Sequence, residues 1–204
     1  YIDIDSLRTY NPAGTEKRGT PYDNQVDNYK QTHAQLIYNQ ELNRNWSLNL
    51  TRHYTRGIGF YEEYKDENSL TEYGLHTEND WDGYELIRRR WLDNHFFGCV
   101  GSTNYTSNDK RLNMVIGGAF HRYLGVHYGT IYDLLYLTSY AKPTPTENYH
   151  YYDNKGNKSD ANLFIKIQYA LTPRLNGFLD LQGRWVDYLA TDDQIYAEPV
   201  PIYK

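Results

Sequence analysis

The chain has very little cysteine and no long apolar run. A single cysteine, Cys99, among 204 residues excludes an intrachain disulfide framework. A lone thiol in a strand-like segment is expected to be a small packing side chain rather than a nucleophile. No stretch approaches the roughly 20 apolar residues that a membrane-spanning helix needs. Any passage through a membrane would therefore have to be made by strands.

Positive charge and catalytic motifs are also scarce. The net charge of -5 argues against a nucleic-acid partner, because phosphate binding calls for a basic face. The sequence has no nucleophile elbow, phosphate loop, HExxH or EF-hand loop. No pair of the seven histidines has the spacing of a closed metal site, and the nearest cases are His121 with His127 and His150 beside tyrosines. We therefore expect no enzyme, no cofactor and no bound metal.

Three hairpins of one shape recur along the chain. Each pairs two strand-like runs across a short polar turn, and the other ends of the hairpins are joined by much longer connections. Short turns at one end and long loops at the other are typical of a transmembrane β-barrel of the outer-membrane kind. The turns are Asn43 to Asn45, Ser107 to Lys110 and Thr172 to Arg174. The predicted strand pairs cover about 28–60, 93–124 and 161–190, and the predicted loops about 11–27, 57–91, 123–160 and 187–204.

The hairpin arms alternate between apolar and polar residues. In the arm after the first turn, Trp46, Leu48 and Leu50 interleave with Ser47 and Asn49, which gives one apolar and one polar face. The third hairpin repeats this period on both arms, and the middle hairpin does so more weakly. A soluble antiparallel sheet with one wet face gives the same alternation. Alternation therefore predicts an antiparallel all-β fold without deciding between the two.

Aromatic residues fall into two sets along the strands. A strand tilted by about 40° climbs roughly 2.5 Å per residue, so sets about eight to twelve residues apart would border an apolar band about 25 Å tall. This spacing favours two interfacial girdles, although aromatic residues also favour strands in general. The first set, near the turns, is Tyr38, Trp46, Tyr105 and Tyr169, and the second is Tyr54, Phe97, Phe120 and Trp185.

Arg52 contradicts this simple pattern. It shares the alternation of Leu48, Leu50 and Tyr54, and it would lie near the middle of the membrane on the lipid face. An arginine there costs about 2 to 4 kcal/mol. Three explanations stay open: a bulge shifts the register, the side chain snorkels, or the apolar band lies lower.

Several stretches resemble the barrel of TonB-dependent outer-membrane receptors of the Bacteroidetes type. The resemblance spans nearly the whole chain, and its motifs are structural rather than catalytic. The stretches are Tyr10 to Glu16, Pro21 to Tyr29, Tyr38 to Gln40, Leu50 to Tyr64, Arg89 to Asn94 and Gly117 to Tyr123.

The resemblance implies a 22-stranded transmembrane barrel in the outer membrane of a Gram-negative bacterium. In such receptors a plug fills the barrel, and the TonB-ExbB-ExbD complex supplies energy through that region. We predict no plug in this chain and too few strands to close so wide a barrel, so it is expected to be a barrel fragment with short periplasmic turns and long extracellular loops. The barrel wall would contact outer-membrane lipid.

Function is predicted to lie in the long loops, which the resemblance places outside the cell. Aromatic rings beside arginines can hold an anionic or aromatic ligand, although tyrosine-rich solvated strand extensions look the same. We expect energised uptake of a ferric siderophore or other iron complex. The alternatives are a Sus-type glycan importer and a surface binding or adhesion barrel that transports nothing. The candidate ligand-binding residues are Tyr61, Tyr64, Trp81, Tyr84, Arg88, Arg89, Arg90, Tyr149, His150 and Tyr151.

Overall fold

The computed structural model describes residues 16–17, 20–76, 84–134, 149–193 and 200–201. The predicted ligand residue Trp81 lies outside these ranges. The short strands are β1 (Glu16–Lys17), β2 (Thr20–Pro21), β5 (Leu75–His76) and β10 (Val200–Pro201), and the long ones are β3 (Asp27–Glu41), β4 (Trp46–Asn68), β6 (Tyr84–Thr106), β7 (Leu112–Leu134), β8 (His150–Thr172) and β9 (Leu175–Asp193). A single 3-10 turn, η1 (Leu70–Tyr73), is the one helical element in the described part.

The six long strands form one open antiparallel sheet. Their order is β3-β4-β6-β7-β8-β9, so each strand pairs with those that adjoin it along the chain, and β3 and β9 form the two edges. The prediction of an antiparallel all-β fold is confirmed. No helix among the described residues has the length and apolar character to cross a membrane.

Short polar turns close the three hairpins. In the first turn the Asn43 side chain accepts hydrogen bonds from the backbone N–H groups of Asn45 and Trp46, at 2.9 and 3.1 Å. In the second, Lys110 takes a positive φ of 58° and its N–H donates to the Ser107 carbonyl at 2.9 Å. The Asp109 carboxylate accepts from Ser107 and from the Arg111 N–H, which holds the pKa of Asp109 below its ordinary value. These side chains hold the backbone in a reversal that leaves the strands in register.

The strands extend farther than the sequence pattern predicts. Residues 57–68 and 84–91 belong to β4 and β6, residues 123–134 and 150–160 to β7 and β8, and residues 187–193 to β9, all within predicted loops. The alternation fails there, but the backbone ladders continue. Between β4 and β6 opposite charges lie directly across from each other, since Glu62 faces Arg89 and Glu63 faces Arg88. The long strands therefore run past the predicted loop boundaries at about 57, 123 and 187.

The sheet has two chemically different faces. Residues paired across strands share a face, and neighbours along a strand lie on opposite faces. The apolar face carries Leu36, Leu48, Leu50, Ile116, Leu163, Ile165, Ile167, Leu179 and Leu181, and the polar face carries Gln35, Asn49, Thr51, Asn113, Gln168, Asp180 and Gln182. The apolar face is largely uncovered, since Leu36 is 68%, Leu163 62% and Leu181 56% exposed.

Both predicted aromatic sets lie on the apolar face. Trp46 pairs with Tyr105, and their ring centroids are 4.8 Å apart. Tyr54 pairs with Phe97 in a row farther from the turns. Just beyond that row, Arg56 donates to the Asp93 carboxylate at 2.9 Å, so the continuous apolar stretch ends in an ion pair.

Arg52 lies on the apolar face in an unbroken register. It pairs with Leu36 on one side and with Cys99 on the other, and no irregularity interrupts either ladder near it. A bulge is therefore excluded as the explanation of its position. The side chain is exposed and borders a shallow cavity of about 750 Å³ with Tyr54 and Phe97.

A small core lies where the long strands reach their ends farthest from the turns. Residues 69–76 fold over the sheet, with Ser69 capping η1 and Gly74 taking a positive φ of 67° to end it. Burial of this segment stabilises the strand extensions, since each fully buried apolar side chain contributes about 1.5 to 3 kcal/mol. The buried side chains are Leu70, Tyr73, Leu75, Tyr84, Leu86, Leu134 and Tyr151.

Candidate ligand-binding pocket

An open pocket lies on the polar face, in the strand extensions. Two adjacent rows of paired residues form it, each row crossing from β3 to β8. The first row is Asp27, Tyr61, Arg90, Gly129 and Tyr152, and the second is Tyr29, Gly59, Leu92, His127 and Asn154. The resulting cavity, which we call the Arg90 pocket, has a volume of about 430 Å³.

Glycines make room for the rings of this pocket. A Cβ at Gly59 would lie 2.5 Å from the Tyr29 Cα and 2.2 Å from the Asn28 carbonyl oxygen. A Cβ at Gly129 would lie 2.2 Å from the Tyr151 ring and 2.5 Å from the Tyr152 ring. Both contacts are far below van der Waals separation, so only glycine lets these rings lie against the strands.

Arg90 is the cation of this pocket. Its Nε donates to the Tyr152 hydroxyl at 3.4 Å, and its guanidinium carbon is 5.6 Å from the Tyr61 ring and 5.8 Å from the Tyr152 ring. The bond to Tyr152 raises the pKa of Arg90 above its ordinary value. Burial raises the pKa of Tyr61, against the opposing charge of Arg90. At neutral pH the pocket therefore presents the positive charge of Arg90 and the protonated phenol of Tyr61, with the Asp27 carboxyl group in the same row.

The other two arginines of the predicted basic run are already engaged. Arg88 donates to the Glu63 carboxylate at 2.5 Å and to the Tyr73 hydroxyl at 3.2 Å. Arg89 donates to Glu62 at 2.7 Å. Among the residues that the structure describes, no ion pair joins Arg90 to a carboxylate. Of the run Arg88 to Arg90, Arg90 is thus the one placed to receive an anion.

Glu62 is the centre of a clasp on the opposite face. It is 1% exposed, and it accepts hydrogen bonds from Tyr22 and Asn24 at 2.6 Å each in addition to Arg89. Burial raises the pKa of Glu62, but these three donors outweigh burial and hold the pKa below its ordinary value. The same contact, together with burial, raises the pKa of Tyr22 to about 12. The clasp fixes the chain before β3 against the strand extensions.

Most of the predicted ligand tyrosines are buried. Tyr64, Tyr84 and Tyr151 are 0%, 7% and 5% exposed. Tyr151 packs edge-on against Tyr73 with ring centroids 4.9 Å apart, and Tyr149 donates its hydroxyl hydrogen to the Tyr73 carbonyl. Tyr84, Tyr149 and Tyr151 belong to or pack against the small core, and Tyr64 stacks on Tyr22. Of the predicted set, only Tyr61 and Arg90 line the Arg90 pocket.

His150 lies on the other face of the sheet, in an aromatic row. Its ring stacks on Tyr128 at 4.2 Å, Tyr128 stacks on Trp91 at 5.7 Å, and Trp91 lies 4.6 Å from Phe60. His150 also contacts the Asp153 carboxylate at 3.1 Å. The structure therefore separates His150 from Tyr61 and Arg90.

Several pocket residues were missing from the predicted set. Asp27 lies in the predicted loop 11–27 and Tyr29 in the first predicted strand pair, while His127 and Tyr152 lie in segments predicted as loop. The available signal was a tyrosine on each of three separate segments, Tyr29, Tyr61 and Tyr152. It becomes informative only once the strand register is known, because the register brings β3, β4 and β8 residues into neighbouring rows.

The pocket has side chains that suit the binding of a ligand. It offers a guanidinium for bidentate contact with a carboxylate, catecholate or phosphate, and tyrosine rings for stacking against a flat ligand. Neither a protein-family model nor a curated protein matches this chain.

Proposed function

We propose that this chain is part of the wall of a TonB-dependent outer-membrane transporter that captures and takes up an anionic iron chelate. The six strands would be neighbours in a larger closed barrel, with β3 and β9 pairing to strands beyond the described sheet. The apolar face would meet lipid, and the polar face would line the interior. A plug and the TonB-ExbB-ExbD complex would provide the energised step.

The observation that carries this proposal is the uncovered apolar face. A soluble sheet buries its apolar face against another layer, whereas Leu36, Leu163 and Leu181 are more than half exposed. Both aromatic sets border this face, as interfacial girdles border a lipid-facing band. The Arg56–Asp93 ion pair begins where that band would end.

Strand length supports a site beyond the membrane. A strand of 23 residues such as β4, at roughly 2.5 Å of height per residue, would climb about 58 Å, well beyond a band of about 25 Å. Tyr61 lies 15 positions past Trp46 on β4, or roughly 37 Å higher at the same rise. The Arg90 pocket would then face an aqueous vestibule above the membrane, in the path of entering cargo.

The chemistry of the pocket favours an anionic cargo. A charge-assisted hydrogen bond to Arg90 would contribute about 1.5 to 3 kcal/mol. Three tyrosine rings line the same pocket, and stacking on such rings is the feature that favours a glycan as the second candidate. A neutral glycan would use the rings but not the charge, so Arg90 separates the two cargoes.

The test uses a strain that lacks the parent receptor and is complemented with the wild-type receptor, R90A or R90K. Growth is measured on limiting iron with one anionic siderophore added at a time. We expect growth with wild type and roughly tenfold or greater loss of siderophore binding in R90A, with partial retention in R90K. The control is R44A, in the first tight turn on the opposite side of the membrane band.

Three results would contradict the proposal in different ways. Unaltered growth of the deletion strain on every iron source would exclude iron uptake and favour the glycan importer. Equal binding by wild type and R90A would remove the pocket from the uptake route. Absence of a plug in the parent receptor would favour a binding or adhesion barrel that transports nothing.

A further inference from the structure

Two histidines meet on the polar face, away from the Arg90 pocket. His53 lies on β4 and His121 on β7, and β6 runs between them. The distance from His53 Nε2 to His121 Nδ1 is 3.0 Å. Both side chains are half-buried.

Glycine at position 98 makes this contact possible. Gly98 pairs with His53 on one side and with His121 on the other, so all three lie in one row across the sheet. A Cβ at position 98 would lie 2.9 Å from His121 Nδ1. Because Gly98 has no side chain, the two imidazoles reach over β6 and touch each other.

The neighbourhood orients both rings. Phe96 packs against His53 at 5.0 Å and against His121 at 5.6 Å between ring centroids. Asp160 pairs with His121 in the sheet, and the Asp160 carboxylate accepts from Arg184 at 3.1 Å. Phe96 thus packs against both imidazoles, and Asp160, which Arg184 holds in place, lies in the same row of the sheet.

The separation of the two nitrogens fits a shared metal ion. With metal–nitrogen bonds of about 2.05 Å, nitrogens 3.0 Å apart subtend about 94° at the metal. This is close to the 90° of tetragonal sites, which are typical of Cu(II) and Ni(II), and well below the roughly 109° of tetrahedral zinc. To share a metal ion, the two rings would turn from facing each other so that both lone pairs point to the open side of the sheet.

We propose that His53 and His121 form a two-histidine site for Cu(II) on the polar face, with the remaining coordination positions open to water. Copper is favoured over nickel because imidazole sites bind Cu(II) most strongly among divalent first-row metals. The described residues include no group of three or more His, Cys, Asp and Glu that could hold a metal ion. The site is therefore an open pair, and it does not depend on which cargo the Arg90 pocket binds.

The experiment is a Cu(II) titration of the purified parent receptor in detergent, followed by electron paramagnetic resonance. We expect a tetragonal Cu(II) signal with hyperfine coupling to two imidazole nitrogens. H53A and H121A should each weaken binding at least tenfold, since losing even an outer partner of a metal site costs about 10- to 100-fold. H95A is the matched control, because His95 lies on the apolar face and contacts Tyr54 instead.

Two outcomes would overturn the inference. A wild-type spectrum with fewer than two coupled nitrogens would show that His53 and His121 do not bind copper together and form only a hydrogen-bonded pair, regardless of the results with the variants. Equal affinity in wild type, H53A and H121A would place the copper elsewhere. H53Q and H121Q keep polar side chains in the row and serve in place of the alanine variants if those fail to fold.

Discussion

Arg52 is a charged residue on a face otherwise made of aliphatic and aromatic side chains. Its neighbours across the sheet are Leu36 and Cys99, and the regular pairing on both sides fixes its orientation. With a bulge excluded, either the apolar band lies lower or the long side chain reaches along the sheet to place its guanidinium near water. The methylenes then cover apolar surface while the charge remains hydrated.

We predict that R52L stabilises the protein in lipid. Arginine costs about 2 to 4 kcal/mol at the midplane and about 0 to 1 near an interface. In the proposed barrel Arg52 would lie near the middle of the band with a side chain able to reach toward the interface, so the gain should be about 1 to 2 kcal/mol. Urea unfolding in lipid vesicles measures the change. The companion variant R44L, in the first turn, should show no gain. A loss of stability in R52L would mean that Arg52 faces a polar environment.

At the scale of elements, the hairpin turns were predictable and the strand ends were not. Turn chemistry is local, because Asn43, Asp109 and Pro173 each act within a few residues of their own position. Strand ends depend on partners far away in sequence. Beyond Ile58 the alternation stops, yet the ladder continues to Asn68, and it includes the charged pairs of Glu62 with Arg89 and of Glu63 with Arg88. The Arg90 pocket escaped prediction for the same reason.

The Glu62 clasp should make the strand extensions sensitive to acid. In the folded protein the pKa of Glu62 lies below the ordinary value of about 4.3. The Glu62 carboxylate therefore stabilises the folded state fully above that value, and this stabilisation is lost as the pH falls through the folded pKa. At pH 7 we expect E62Q to be about 1 to 3 kcal/mol less stable than wild type. Below pH about 4 the difference in the free energy of unfolding between wild type and E62Q should become smaller.

Unfolding free energies of wild type and E62Q across the pH range measure this effect. E41Q provides the comparison, since Glu41 is an exposed residue at the end of β3. A difference between wild type and E62Q that stays constant from pH 7 to pH 3 would show that the carboxylate charge does not stabilise the clasp.

At the scale of the whole molecule, the two faces of the sheet should meet different solvents. Cys99 lies on the apolar face of β6, and Ser102 lies three residues along on the polar face, paired with Asn49 and Gly117. Strand β6 therefore carries one residue suitable for labelling on each face of the sheet. The alternation of the sequence predicted both faces, but it left open whether lipid or another protein layer covers the apolar one.

We predict opposite labelling of these two positions in the parent receptor in outer membranes, with any other cysteine replaced by serine. Cys99 should react with a lipid-soluble maleimide and resist a charged, water-soluble one. In a C99S/S102C variant, the new thiol should react with the water-soluble reagent. Rapid labelling of Cys99 by the charged maleimide would exclude a lipid-facing apolar surface.

The strand order also determines how the sheet can form. Every long strand pairs with the one before and the one after it along the chain, without a crossover. The contacts next to the three tight turns have short sequence separation, so they pay less loop-closure entropy than the pairings between one hairpin and the next. Each of the three polar turns can start its own hairpin, and the hairpins can then join in chain order. The sheet therefore has a folding route that proceeds by sequential addition, with a growing edge that accepts the next hairpin at every step.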